Sequence, residues 1–293
     1  MAADARLIER ARAKINLTLH INKRREDGWH DLESLVAFAG TSDCVSFVPG
    51  EALSLTLSGL GAATLNAESE NLILRAAREL AARIPDLRMG AFHLDKQLPI
   101  AAGIGGGSAD AAAALRLLAR ANKLAPDDVR VMDAARATGA DVAVCAGSRA
   151  RMMRGVGGDL GPTLKLPLLY AVLVNPRVAV ETKAVFARLG LKPGEELGFG
   201  AHPIVQDAMS FEALLPLLKK GRNDMEDAAQ VIAPVINHVI AVLSAARGCK
   251  LARMSGSGAT CFAVFDTRRA ALTAARVVQR DHPNWWVPAT LLR

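Results

Sequence analysis

Pro99-Ile100-Ala101-Ala102-Gly103-Ile104-Gly105-Gly106-Gly107-Ser108 runs directly into Ala109-Asp110-Ala111-Ala112-Ala113-Ala114-Leu115. Glycine fills four of the five positions 103–107, so the backbone can take positive φ and approach a ligand closely. The alanines that follow have the highest helix propensity of any residue. A bare glycine loop at a helix N-terminus offers unpaired N–H groups and the positive end of the helix dipole to an anion. Phosphate binding is the first reading of this segment. Neither G-x-G-x-x-G nor G-x-x-x-x-G-K-[ST] fits: Ser108 stands where the third glycine would be, and no lysine follows the glycines. The H-R-D and D-F-G runs of protein kinases are also missing.

The chain has 293 residues, enough for one large or two modest domains, and 51% of them are hydrophobic. No apolar run reaches the roughly 18 residues of a membrane span. Met1–Arg6 lacks a charged-then-apolar leader, which gives the expectation of a cytoplasmic protein. Cys44, Cys145, Cys249 and Cys261 are widely spaced and read as reduced thiols. The net charge of +7 is scattered over short clusters, and one tyrosine, eight phenylalanines and three tryptophans are thin material for stacking bases. Small anionic substrates, with no nucleic acid and no membrane partner, are expected. The six histidines show no metal-ligand spacing, so no dedicated metal site is expected.

Period-two alternation marks strands at Leu53–Leu57 and Phe92–Asp95, and Leu168–Val174 is a short apolar strand. Helical spacing marks Asn71–Ala82, and Asp127-Asp128 cap another helix. Further helices are expected at Phe211–Lys220, Ala228–Arg247 and Arg268–Gln279, with a strand at Thr260–Phe265. Strands and helices interleave without a regular repeat, so the expected class is α+β in two domains, 1–163 and 164–293. A second glycine cluster, Met254-Ser255-Gly256-Ser257-Gly258-Ala259-Thr260, precedes the last of those strands. Alone it reads equally as a tight turn; with the first cluster it suggests two walls around one substrate.

With these pieces placed, the chain resembles the GHMP kinase superfamily, which phosphorylates small alcohols with ATP. The family's motif Pro-x-x-x-Gly-x-Gly-x-x-Ser is similar to Pro99–Ser108, with Gly103, Gly105 and Ser108 at its fixed positions. Met254–Thr260 resembles its C-terminal glycine motif. Ala13-Lys14-Ile15-Asn16-Leu17, Gly28-Trp29-His30-Asp31-Leu32, Gly139–Val144 and Asn223–Glu226 are similar to a branch whose acceptor is a diphosphocytidyl-linked methylerythritol. That branch works in the non-mevalonate route to isoprenoid precursors. The resemblance implies a ribosomal S5-like ATP-binding domain, a ferredoxin-like second domain and an active site in the cleft between them.

It also implies roles. Asp141, which by itself reads as a helix-capping residue after Gly139, would be the general base, and Lys14 its charge partner. Pro99, Gly103, Gly105, Gly106, Gly107 and Ser108 would hold ATP phosphates, with Asn71 and Lys96 lining the nucleotide site. Asn16, Trp29, His30, Thr182 and Phe186 would hold the acceptor, the rings sandwiching cytosine and the imidazole reading its edge. By itself the Trp29-His30 pair reads as a turn with a half-buried ring. Trp29 stands where the family commonly has tyrosine, and Ala109 where relatives often have a second serine. Mg²⁺ would be carried in with ATP, and the protein would be a monomer or weak homodimer. A kinase of another alcohol and a catalytically silent nucleotide- or RNA-binding protein are the rival readings.

Overall fold

A computed structural model describes residues 6–62, 65, 71–125 and 127–293; Met1–Ala5, part of the segment read above for a leader, lie outside them. The chain forms two compact units, and each is assembled from several stretches of sequence.

The first unit comprises residues up to Ala13, Ser42–Ile100 and Gly105–Ser148. Its sheet pairs β4 (Ser54–Ser58) parallel to β5 (Gly90–Asp95), and β5 antiparallel to Cys44–Pro49, the end of the long strand β3 (His30–Pro49). Phe47 and Phe92, opposite one another in that register, have ring centroids 4.6 Å apart. Such a pair contributes about 1 kcal/mol beyond its buried area. Four helices pack together here: α1 (Leu72–Ala81), α2 (Gly106–Ala121), α3 (Val129–Thr138) and α4 (Ala140–Gly147). Helix α1 buries Ile73, Ala76, Ala77 and Leu80 at helical spacing, and Asn71 caps it by accepting from the Ile73 N–H. Asp128 caps α3 in the same way. Residues 109 and 111–114 of α2 are buried alanines, whose small size lets neighbouring helices approach closely.

The second unit comprises Lys14–Thr41, Ala101–Ile104 and Arg149–Arg293. The end of β1 (Leu7–Asn16) enters it, and β2 (His20–Arg24) pairs antiparallel with the start of β3. On its other side that part of β3 pairs with β6 (Arg151–Gly155), itself hairpinned to β7 (Asp159–Thr163). Strands β8 (Leu169–Val174), β9 (Cys249–Met254), β10 (Cys261–Phe265) and β11 (Ala289–Leu292) run antiparallel in the order β11-β8-β10-β9. Helices α5 (Thr182–Leu189), α6 (Phe211–Lys220), α7 (Glu226–Ile232), α8 (Val235–Ala245) and α9 (Arg268–Asp281) complete it. The core gathers Val172, Val174, Ile236, Val239, Leu243, Ala263 and Phe265.

One expected helix divides. Ala228–Arg247 is not continuous: α7 ends at Ile232 and α8 begins at Val235. Pro234 lacks an N–H and disfavours helical φ/ψ at Ala233, so the chain stops and restarts there. No helix of the described residues is long and apolar enough to cross a membrane.

Candidate functional site

In the first unit, Gly105 is the N-cap of α2 at φ +61°, and no side chain caps the helix. The amides of its first turn, Gly106, Gly107 and Ser108, are therefore left for another acceptor. Gly107 is exposed and Ser108 half-buried, whereas Ala109 faces inward at 2% exposure. Beneath this turn lies Lys96, whose Nζ sits 2.6 Å from Asp43 Oδ2 and 2.6 Å from Asp110 Oδ2. Asp141 occupies the first turn of α4 and is half-buried; Gly139 is that helix's N-cap. Asn71 uses its Oδ1 to cap α1.

In the second unit, Ala101–Ile104 packs on the second glycine cluster. Ser255 Oγ donates to Gly103 O at 3.2 Å and accepts from the Asn16 N–H at 3.1 Å. Thr260 N–H donates to Ala102 O, and Lys14 N–H donates to Ile104 O. A Cβ at Gly103 would lie 2.6 Å from both Ser255 O and Gly258 O, so only glycine lets these backbones meet. The two clusters thus touch along Ala102–Gly103. Lys14 is 4% exposed, and Asn16 donates through Nδ2 to Ser34 Oγ. Asn16 Oδ1 is buried with no partner among the described residues.

His30 opens β3 and stacks on Phe186 of α5, centroids 4.4 Å apart and planes inclined at 21°. Its Nε2 is buried with no partner among the described residues. Burial pushes the His30 imidazole below its ordinary value, and the nearby Arg24 guanidinium adds to this, so the ring is neutral near pH 7. Trp29 follows Gly28 (φ +87°) in the β2–β3 turn, its N–H held by Asp27 Oδ1, and its ring is 65% exposed. Thr182 opens α5 with its hydroxyl 2.7 Å from Ser257 Oγ of the second glycine cluster. The second unit therefore brings together His30 with Phe186, Thr182 with Ser257, and Asn16 with Ser255; Trp29 stands apart from the ring stack.

Several groups here escaped the sequence reading. Asp43 and Asp110 carry no motif of their own, and only the fold brings them to Lys96. Arg253, 8% exposed, donates to the carbonyls of Leu17, Leu218 and Gly221. Asn223 donates to Met254 O and Gly256 O, both at 2.9 Å, and Glu226 accepts from Met254 N–H. The signature Asn223–Glu226 is thus the scaffold of the second glycine cluster. Among the described residues no group of three or more His, Cys, Asp or Glu side chains forms a metal cage.

Comparison with known proteins closes the question of kinship. Residues 71–149 match the GHMP kinase N-terminal domain, and residues 204–284 match the GHMP kinase C-terminal domain. A 4-diphosphocytidyl-2-C-methyl-D-erythritol kinase of Methylobacterium radiotolerans is 56% identical over 98% of this chain and 99% of its own. The chain belongs to the GHMP kinases, in the 4-diphosphocytidyl-2-C-methyl-D-erythritol kinase family. A relative of the same name from Rhodopseudomonas palustris is 53% identical over 98% of this chain and 97% of its own. The crystal structure of a 4-(cytidine 5'-diphospho)-2C-methyl-D-erythritol kinase superposes with a TM-score of 0.74 at 31% identity, covering 97% of this chain and 99% of that one. A homoserine kinase from Cytophaga hutchinsonii shares the fold, with a TM-score of 0.73 at 18% identity over 99% and 95% of the two chains.

Proposed function

We propose that this GHMP kinase moves the γ-phosphoryl group of ATP to the C2 hydroxyl of 4-diphosphocytidyl-2-C-methyl-D-erythritol. The observation that carries the acceptor is the His30–Phe186 stack with its unpartnered Nε2. A flat, half-buried aromatic surface suits a pyrimidine, and a neutral imidazole nitrogen suits the donor or acceptor edge of cytosine. Trp29 supplies a second ring face from its turn. Asn16 Oδ1 and the Thr182 hydroxyl bind the polyol and its diphosphate.

ATP phosphates bind the open first turn of α2, with N–H groups of Gly105, Gly106, Gly107 and Ser108 directed by the helix dipole. Pro99 and Gly103 shape the loop leading in, while Asn71 and Lys96 line the nucleotide side. The Ser108 hydroxyl would meet the phosphates, and Mg²⁺ carried in with ATP would be held mainly by phosphates and water and would neutralise phosphate charge.

Asp141 takes the proton of the C2 hydroxyl. It stands half-buried in the first turn of α4, which follows the N-cap Gly139. Lys14 is its charge partner, and its desolvated ammonium stabilises charge on the transferring group. Phosphoryl transfer needs positioning and electrostatics more than covalent chemistry, which these residues provide.

The test is ATP consumption by the purified protein with the diphosphocytidyl acceptor beside homoserine, mevalonate and galactose. Turnover with the cytidylyl acceptor alone is expected. Turnover with another alcohol only would remove the cytosine reading. Asp141→Ala should lose turnover, by about 10²–10⁴-fold as for a general base, while ATP still binds; normal turnover would strip Asp141 of its role.

A further inference from the structure

Lys96, Asp43 and Asp110 form an ion triad buried within the first unit, with side chains 3%, 0% and 4% exposed. The triad ties together three elements: Asp43 on β3, Lys96 just past β5, and Asp110 on α2. Its two carboxylates are not equivalent. Asp43 accepts the Lys96 ammonium at Oδ2 and the N–H groups of Gln97 and Leu98 at Oδ1, at 2.6 and 2.7 Å. Asp110 accepts Lys96 at Oδ2 only, and its Oδ1 is buried with no partner among the described residues.

One cation between two buried carboxylates leaves an excess negative charge unless a proton is held, and an uncompensated buried charge is costly. Asp110, with its idle oxygen, is the group that holds it. Burial pushes its carboxyl up, opposed by Lys96 and reinforced by Asp43, to about 8. Burial opposes the Lys96 charge, but the two carboxylates outweigh it and hold the ammonium above its ordinary value. Helices α1, α3 and α4 pack against α2. Their charged side chains include Arg75, Glu79, Arg136 and Asp141, yet among the described residues the charges acting on Asp110 are those of Lys96 and Asp43.

The triad lies under the phosphate-binding turn. A Cβ at Gly106, the first helical residue of α2, would sit 3.1 Å from Lys96 Nζ and 3.9 Å from Asp43 Oδ2. Whatever charge the triad carries acts on an anion bound at that turn through protein and not through water. We propose that Asp110 is a positioning residue for ATP, acting through Lys96, and that the proton it holds sets the charge behind the α2 N-terminus and so the affinity for nucleotide phosphates. Protonated Asp110 leaves a neutral triad. Ionised Asp110 puts a negative charge behind the site where a polyanion must bind. The inference rests on ATP binding at α2, as proposed above.

The experiment is the KM for ATP from pH 6.5 to 9.5 in the wild type and Asp110→Asn, with the KM for the acceptor as control. In the wild type the ATP KM should rise roughly tenfold on passing above pH 8, with the acceptor KM unmoved. Asp110→Asn should keep its low-pH ATP KM across the range, because the amide cannot ionise. Calorimetry of ATP binding to the wild type at pH 8.5, in two buffers of different ionisation enthalpy, needs no variant. It should show a proton taken up on binding. Equal pH profiles in both proteins, or binding without proton uptake, would overturn the inference while leaving the ATP site intact; no ATP binding at any pH would overturn both.

Discussion

A methyl group added at Gly256 would lie 2.6 Å from the carbonyl oxygen of Gly103, whereas one added at Gly107 would meet only a Leu72 methyl at 3.5 Å. The two glycine clusters read alike as text, yet their glycines answer different demands. In Met254–Thr260 they let one backbone lie against another, and the surrounding side chains address backbone: Asn223 to two carbonyls, Glu226 to an amide, Ser255 to Gly103. In Gly105–Ser108 they leave amides open to solvent above an ion triad. Glycine-rich sequence therefore marks close approach, and only the neighbours tell whether the approaching group is protein or ligand.

Removing the backbone clamp should have the largest effect. Asn223→Ala strands two carbonyls and the Met225 N–H, and should cost about 2–4 kcal/mol in urea unfolding. A loss under 1 kcal/mol would mean the second cluster holds itself. Gly256→Ala should cost about 1–3 kcal/mol from overpacking against Gly103 and a φ of +57°, read as a lowered thermal midpoint.

His20 sharpens the comparison through pH. It accepts the N–H of Arg222, next to Asn223, and is driven down to about 3 by burial and then by Arg222, His202 and Arg253. Unfolded, it would take a proton near 6.5. Its contribution is therefore complete above pH 6.5 and is lost as pH falls toward 3. The urea midpoint should drop between pH 7 and 5, and His20→Gln should flatten part of that drop. At the acceptor side, His30→Phe keeps the stack and removes the edge. The acceptor KM should rise about tenfold, one good hydrogen bond's worth, with the ATP KM unchanged in steady-state assays. The smallest effect is expected at the open cluster. Gly107→Ala sits inside α2 with room for its methyl, so stability should rise by up to about 1 kcal/mol, with any loss appearing in the ATP KM.

Local chemistry explains what the sequence made legible. Helix α1 announced itself through Asn71 and its apolar spacing, and α6 spans the expected residues. Strand β3 did not: its 20 residues serve β2 and β6 at one end and β5 at the other, so no single alternation runs its length. At the site, the Gly105–Ser108 turn at the start of α2 was readable because a motif carries it, whereas the stack of His30 on Phe186 was not, since the resemblance gave His30 the edge of the base and Phe186 a face of the sandwich. The triad was not, since Asp43 and Lys96 are 53 residues apart and each alone looks like a surface charge. Arg253 was hidden likewise, its three partners being backbone carbonyls that leave no mark on composition.

Residues Ala101–Ile104 belong to the second unit although the stretches before and after them belong to the first, and Lys14–Thr41 is interleaved in the same manner. This has a consequence for protein engineering. A chimaera joined once, near residue 148, would inherit a second unit missing two of its own pieces, with Ser255 facing a foreign Gly103 and β6 a foreign β3. Transplanting acceptor preference between such kinases means moving three segments together, and a library shuffled at a single crossover should yield mostly unfolded chains.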